Sequence, residues 1–298
     1  MASRQKLDSQ IQMVQTLGDL MMTREEVYVL RMLKVRNSVL RTRNFMEGLI
    51  DLFNELRYAY LHELAGTVGR GHGKTSGGKS LSVLKKNKQA VAVLLSASEK
   101  PYGEVNEKIF QKFWDFLQKN PEYEVVITGQ LGSEMYVNQK SDRPFRYFDL
   151  LEEGTSINEL RPLIDHIIQY EEVKVFYGKF ESFINQRGDS VTISGTAPLE
   201  VMKRPQLLSE EKFLFEPSLE EILGFFETQI FALLLRQIAL ESYLSQIGSR
   251  VIALETSTTN IEERSRELLW KKKMWLKGVR NKKQLQNLVG LTFWKSLD

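Results

Sequence analysis

The sequence predicts an α+α/β fold: a long antiparallel coiled coil of N- and C-terminal helices with an inserted Rossmann-like α/β domain. Three observations predict it. All seven prolines lie between Pro101 and Pro217, so both ends are free of the residue that breaks helices. Each end carries an apolar seam that repeats every seven residues. Between them, strand-like and helix-like segments alternate.

The N-terminal seam steps by three and four from Ile11 through Val14, Gly18, Met21, Glu25, Tyr28, Met32, Val35, Val39, Thr42, Met46, Leu49, Phe53 and Leu56 to Tyr60. Only Gly18, Glu25 and Thr42 interrupt it. Residues a heptad apart stay on one side of a slightly underwound helix, so the seam requires a partner helix. At about 1.5 Å per residue this element spans roughly 75 Å, more than a compact domain needs.

After this helix, assigned to residues 1–65, comes a glycine- and lysine-rich linker, 66–88, and then an α/β domain, 89–205. Ala90–Leu95 (AVAVLL) reads as a buried strand, and Glu104–Lys119 as a helix through Val105, Ile109, Phe110, Phe113 and Phe116. Tyr123–Thr128 reads as a second strand followed by a turn at Gly129 and Gly132, and Arg146–Leu150 as a third. Ile157–Tyr170 has helical spacing; Val173–Ile184 and Ser190–Ser194 alternate as strands. Such alternation implies a mostly parallel sheet with crossover helices.

The C-terminal helix is assigned to 206–298. Ser218 and Glu221 have capping-box spacing just after Pro217. Its seam runs from Phe226 through Ile230, Leu233, Gln237, Leu240, Leu244, Ile247, Val251, Leu254, Thr258, Ile261 and Ser265 to Leu268. Beyond Leu268 polar Lys272, Lys282 and Gln286 alternate with Trp275, Val279 and Val289. The last turns, Leu288 to Trp294, are apolar on several faces and call for an enclosure. The seam residues expected to hold the two helices together are Ile11, Val14, Leu244, Val251 and Leu268.

Composition narrows the functions. The 298 residues carry a net charge of +3, too little to argue for nucleic acid, and no cysteine, which excludes disulfides and thiol chemistry. No run of about 18 apolar residues exists, so no membrane span is expected. Met1–Leu7 lacks the apolar stretch of a signal peptide, and the mature chain is expected to begin near residue 1. Gly73–Ser80 (GKTSGGKS) fits the phosphate-loop pattern, in which Lys79 would reach the outer phosphates and Ser80 a magnesium ion. That chemistry needs a strand before the loop and a helix after it. AGTVGRGH precedes it, and only a few residues separate it from the strand at Ala90, so a flexible loop is the better reading. His62, His72 and His166 lack zinc-ligand spacing. Glu152–Glu153 and Glu171–Glu172 read as solvated faces. No cofactor or metal is expected. The run Lys271, Lys272, Lys273, Lys277, Arg280, Lys282 and Lys283 holds no acid. It is either a solubilising face or a contact for an acidic protein partner.

Several segments, in order, resemble the gamma-subunit family of F-type ATP synthases. Phe213–Pro217 (FLFEP) is similar to that family's Y-x-Y/F-E-P entry to its last helix. Ala239–Ser242 (ALES), Ser249–Leu254 (SRVIAL) and Thr256–Asn260 (TSTTN) are similar to its A-L-x-E-S, A-R-M-x-A-M and A-T-x-N-A stretches. Gly290 matches a glycine near its end, and Ile11–Gln15 (IQMVQ) its opening segment. Ser96, Gly103 and Asn106 fall where the family has S-D-R-G-L-C-G-G-x-N, and Val126–Gly132 (VITGQLG) matches its strand and glycine turn. The chain departs from the family at Ser96–Asn106 (SASEKPYGEVN) and at Trp270–Trp275 (WKKKMW), where the late N-R-x-R-Q signature is replaced.

The resemblance implies a non-catalytic rotor stalk turning inside a ring of alpha and beta subunits. Its insert would sit beside an epsilon subunit and the membrane c-ring, on the cytoplasmic face of a bacterial membrane. It also implies coupling roles for Lys271, Lys272, Lys273, Lys277 and Arg280. Two alternatives stay open: a phosphate-loop NTPase built on Gly73–Ser80, and a coiled-coil scaffold without rotary function.

Overall fold

A computed structural model describes residues 2–68, 86–98, 103–150, 157–194 and 219–295. The elements in order are α1 (Ala2–Val68), β1 (Asn87–Leu95), α2 (Val105–Lys119), β2 (Glu124–Thr128), α3 (Gln130–Asn138), β3 (Phe145–Phe148), α4 (Ile157–Ile167), β4 (Tyr170–Phe180), β5 (Gln186–Ser194) and α5 (Leu219–Lys295). The chain divides into two compact units: residues 1–29 with 251–298, and residues 30–250. Among the described residues no helix is long and apolar enough to cross a membrane.

The larger unit is built on one five-stranded sheet of order β3-β2-β1-β4-β5. β1 pairs in parallel with β2 and β4, β2 pairs in parallel with β3, and β5 closes the sheet antiparallel to β4. Central β1 is buried on both faces, which explains its unbroken apolar run. Alternate side chains enter opposite cores. Val91, Val93 and Leu95 join Leu160, Leu163 and Ile167 of α4 and Phe231, Leu235 and Ile238 of α5. Ala92 and Leu94 join Ile109, Phe113 and Leu117 of α2 and Tyr136 of α3. Val93, opposite Val126 and Val175, is wholly inaccessible, and burying such a side chain stabilises by about 1.5–3 kcal/mol.

The turn from β2 into α3 depends on glycine. Gly129 has φ +82°, and a Cβ there would lie 2.2 Å from the Ser96 carbonyl oxygen. Ser96 fastens the turn: its hydroxyl donates to the Thr128 carbonyl at 2.7 Å and accepts the Gly132 amide at 2.8 Å.

Several boundaries differ from the sequence reading. α3 replaces what reads as a glycine turn alone, because only Gly132 and Tyr136 of its nine residues are buried and no apolar period marks it. β3 is Phe145–Phe148 instead of Arg146–Leu150. α4 stops at Ile167, and Tyr170 already belongs to β4, which ends at Phe180 instead of Ile184. β5 begins at Gln186, four residues before the apolar alternation starts.

Candidate functional site

The smaller unit is a pair of helix segments. On α1, from Ile11 to Tyr28, the only positions shielded from solvent are 11, 14, 18, 21, 25 and 28. On α5 the shielded positions after Leu254 fall at 257, 258, 261, 265, 268, 272 and 275. That period of three and four is the one a left-handed two-helix seam imposes. Ile11 is 6% exposed, Val251 1% and Leu268 3%, while Val14 is half-buried. Leu244, 4% exposed, lies on α5 within the larger unit.

Two contacts set direction and register. A Cβ on Gly18 would lie 3.4 Å from Ile261 Cγ2, and the Lys272 ammonium lies 2.7 Å from the Asp8 carboxylate. As the number falls from 18 to 8 on α1 it climbs from 261 to 272 on α5, so the helices are antiparallel. Gly18, an interruption in the seam, admits the branched Ile261. Lys272, read from the sequence as a seam failure, is half-buried and carries an ion pair instead. Arg4 also approaches Asp8, at 3.7 Å.

The register sets the start of α1 against the turn around Gly278, whose Cβ position has nothing within 4 Å. From Leu276 to Leu288 every α5 residue is exposed, including Val279 (46%), Leu285 (63%) and Leu288 (59%). Lys277 and Arg280 are exposed on this stretch, as are Lys271 and Lys273 just before it. The arrangement is a helix end with apolar and cationic side chains on all sides and no acid of its own.

A second feature lies at the carboxyl ends of β1 and β4. In sheets of this kind the strand order reverses at such a point, and the crevice there is where ligands ordinarily bind. Here α5 occupies it. Ser249 Oγ accepts the Val105 amide, at the start of α2, at 3.2 Å. Ser242 Oγ accepts the Gly178 amide, near the end of β4, at 3.2 Å. The hydroxyl of Ser249 thereby satisfies the first amide of α2, one of the helix-start donors that have no partner within the helix. The sequence reading met both serines only at the ends of the ALES and SRVIAL segments and gave them no role, and it passed over Asp8, because nothing local marks any of the three as a contact.

Other candidate chemistry is sparse. Among the described residues no group of acids and histidines is arranged to hold a metal ion. A shallow cavity of ≈ 460 Å³ is lined by Ser98, Gln130, Ser133, Glu134, Tyr147 and Asp149. The first amides of α3 beside it are already bonded: Gln130 N–H donates to Ser98 Oγ, and Leu131 N–H to the Ala97 carbonyl. His166 stands beside Arg146, with Nδ1 2.9 Å from the guanidinium. Burial and then Arg146 hold its pKa below 6.5. Gly73–Ser80, His72 and Glu152–Glu153 lie outside the described residues, as does the side chain of His62.

Residues 3–272 match the family model described as ATP synthase. The chain is 24% identical over 285 residues to the ATP synthase gamma chain of Roseiflexus sp. (strain RS-1), covering 90% of each. It is 26% identical over 178 residues to that of Symbiobacterium thermophilum, covering 57% of this chain and 60% of the relative. Its fold resembles a chain in the Euglena gracilis mitochondrial ATP synthase OSCP/F1/c-ring structure, with TM-score 0.62, 13% identity, and 98% and 94% of the two chains covered. It also resembles one in the Tetrahymena thermophila central stalk/c-ring structure, with TM-score 0.56, 17% identity, and 80% and 99% covered.

Proposed function

This chain belongs to the ATP synthase gamma family, and from that premise we propose how its parts work as the central rotor stalk of a rotary ATP synthase. The stalk is a non-catalytic subunit. It couples rotation of an ion-driven membrane ring to conformational change in the alpha/beta ring, where ATP is made or hydrolysed. Its partners are the alpha and beta subunits, the epsilon subunit and the c-ring. Neither a phosphate-loop NTPase nor a non-rotary scaffold is favoured, since relatives matched over 90% of their length are ATP synthase gamma chains.

The observation that carries the reading is the antiparallel pairing fixed by Asp8–Lys272 and Gly18–Ile261, with an exposed helix end beyond it. Segments 1–65 and 206–298 form the shaft, 66–88 the linker and 89–205 the insert. Ile11, Val14, Leu244, Val251 and Leu268 act as the apolar seam that stiffens the shaft. Lys271, Lys272, Lys273, Lys277 and Arg280 meet acidic loops of the surrounding ring, Lys272 being shared with Asp8. The apolar turns at Leu288–Trp294 rotate inside a greasy collar. A rotating shaft drives each beta subunit through its states only if it contacts those states differently, and a helix pair of unlike flanks provides that asymmetry. The complex sits on the cytoplasmic face of a bacterial membrane.

Co-expression with the alpha and beta subunits of the same organism tests this. An alpha–beta–gamma complex that hydrolyses ATP, and loses that activity when this chain is omitted, supports the reading. Full hydrolysis without the chain, or failure of the chain to co-purify, contradicts it.

A further inference from the structure

We propose that the serine-lined side of α5, seated in the crevice at the carboxyl ends of β1 and β4, is the torque-bearing joint between the α/β domain and the shaft. The proposal rests on the rotor reading and adds to it the place where force passes. Ser242, Ser245 and Ser249 are spaced three and four apart, so they share one face of α5 over about 10 Å of helix. All three are buried, at 2%, 0% and 6% exposure.

Each hydroxyl meets the backbone of the sheet domain. Ser249 accepts from the Val105 amide and Ser242 from the Gly178 amide, both at 3.2 Å, while Ser245 donates to the Lys179 carbonyl at 3.5 Å. The opposing surface is glycine. A Cβ on Gly103 would lie 2.1 Å from Ser249 Oγ and 2.6 Å from its carbonyl carbon, and one on Gly178 would lie 2.8 Å from Ser245 Oγ. Within the same stretch, next to Ser249, Gly248 admits the Gln186 side chain, with Nε2 3.0 Å from its Cβ position.

This contact differs in kind from the apolar packing of Phe231, Leu235 and Ile238 against the sheet. Apolar packing is non-directional and tolerates small slips. Here a rotation or slide of α5 drives hydroxyls into backbone and breaks bonds to buried amides, which are expensive to leave unmade. At the carboxyl ends of β1 and β4 the place a nucleotide takes in a doubly wound sheet, including a terminal amide of α2, is filled by the chain's own helix.

The test compares ATP hydrolysis with ATP-driven ion pumping by the complete membrane-bound synthase. Gly178→Ala pushes a methyl group against Ser245, and Ser245→Gly removes that obstacle; of the three nearest atoms the flexible Ile109 Cδ1, at 3.3 Å, then remains. The expected result is continued hydrolysis with a roughly fivefold lower ratio of ions pumped to ATP hydrolysed in Gly178→Ala, and recovery in the double variant. A wild-type ratio in Gly178→Ala overturns the proposal, as does a deficit that Ser245→Gly fails to relieve. Should Gly178→Ala prevent assembly, Ser242→Ala with Ser249→Ala adds no bulk and favours the helix; an unchanged ratio there overturns the proposal equally. The wild-type arm separates the two readings. If wild-type chain supports no coupled complex, the rotor assignment falls; if wild type couples and every joint variant couples as well, only the joint falls.

Discussion

The Lys272 ammonium lies 2.7 Å from the Asp8 carboxylate, joining α1 to α5 across residues that are remote in the sequence. The hydrogen bond from Lys272, helped by the charge of Arg4, holds the Asp8 carboxyl below its ordinary 3.8. Because the folded carboxyl is the stronger acid, its contribution is present above 3.8 and disappears as pH falls through the depressed value. Asp8→Lys should lower the melting temperature and Asp8→Lys with Lys272→Asp should recover it. Both partners are only half-buried, so the effect is small and shrinks in salt.

Adjacent leucines on α5 give a sharper contrast. Leu268 is 3% exposed on the seam and Leu269 is 46% exposed beside it. Leu268→Ala should destabilise the helix pair by about 2–3 kcal/mol, at the low end for core leucines because a two-helix seam relaxes readily. Leu269→Ala should change stability by about 0.5 kcal/mol or less. Urea unfolding followed by circular dichroism measures both.

Gly129→Ala should destabilise the α/β domain by about 2 kcal/mol or more, since it adds left-handed backbone strain to a clash with the Ser96 carbonyl. Gly278→Ala, at an exposed helical position with open space around it, should be neutral or slightly stabilising. Thermal melts of the two variants separate the cases.

His166 predicts acid sensitivity. Arg146 can only donate, so the Nδ1 facing it at 2.9 Å accepts and the imidazole is neutral. Burial and Arg146 keep the folded pKa below 6.5. Below 6.5 the unfolded chain takes up a proton that the folded chain refuses, so stability falls with pH until the depressed folded value is passed. His166→Gln keeps an acceptor for Arg146 and cannot titrate. Its urea midpoint should therefore change less than that of wild type between buffers on either side of 6.5.

The elements built on apolar patterns were legible in the sequence. β1 and β2 announce themselves as valine-rich runs, and the stripes of Ile11 to Tyr28 and Leu254 to Leu268 match the shielded positions. α3 and the first residues of β5 were not legible, because polar side chains carry no period and backbone pairing alone defines those segments. The joint was hidden for a related reason. Ser242, Ser245 and Ser249 are ordinary helix residues until the fold brings Gly103 and Gly178 against them. Lys272 looked like a broken seam because its partner, Asp8, is 264 residues away in the chain.

Rotation itself tests the central claim most directly. The chain has no cysteine, so Ile184→Cys, at a residue 84% exposed between β4 and β5, provides a single point for attaching a bead. With the alpha and beta subunits fixed to a surface and ATP supplied, the account predicts sustained turning of the bead in one direction. Steady ATP hydrolysis by the same complexes with a bead that never turns would contradict it.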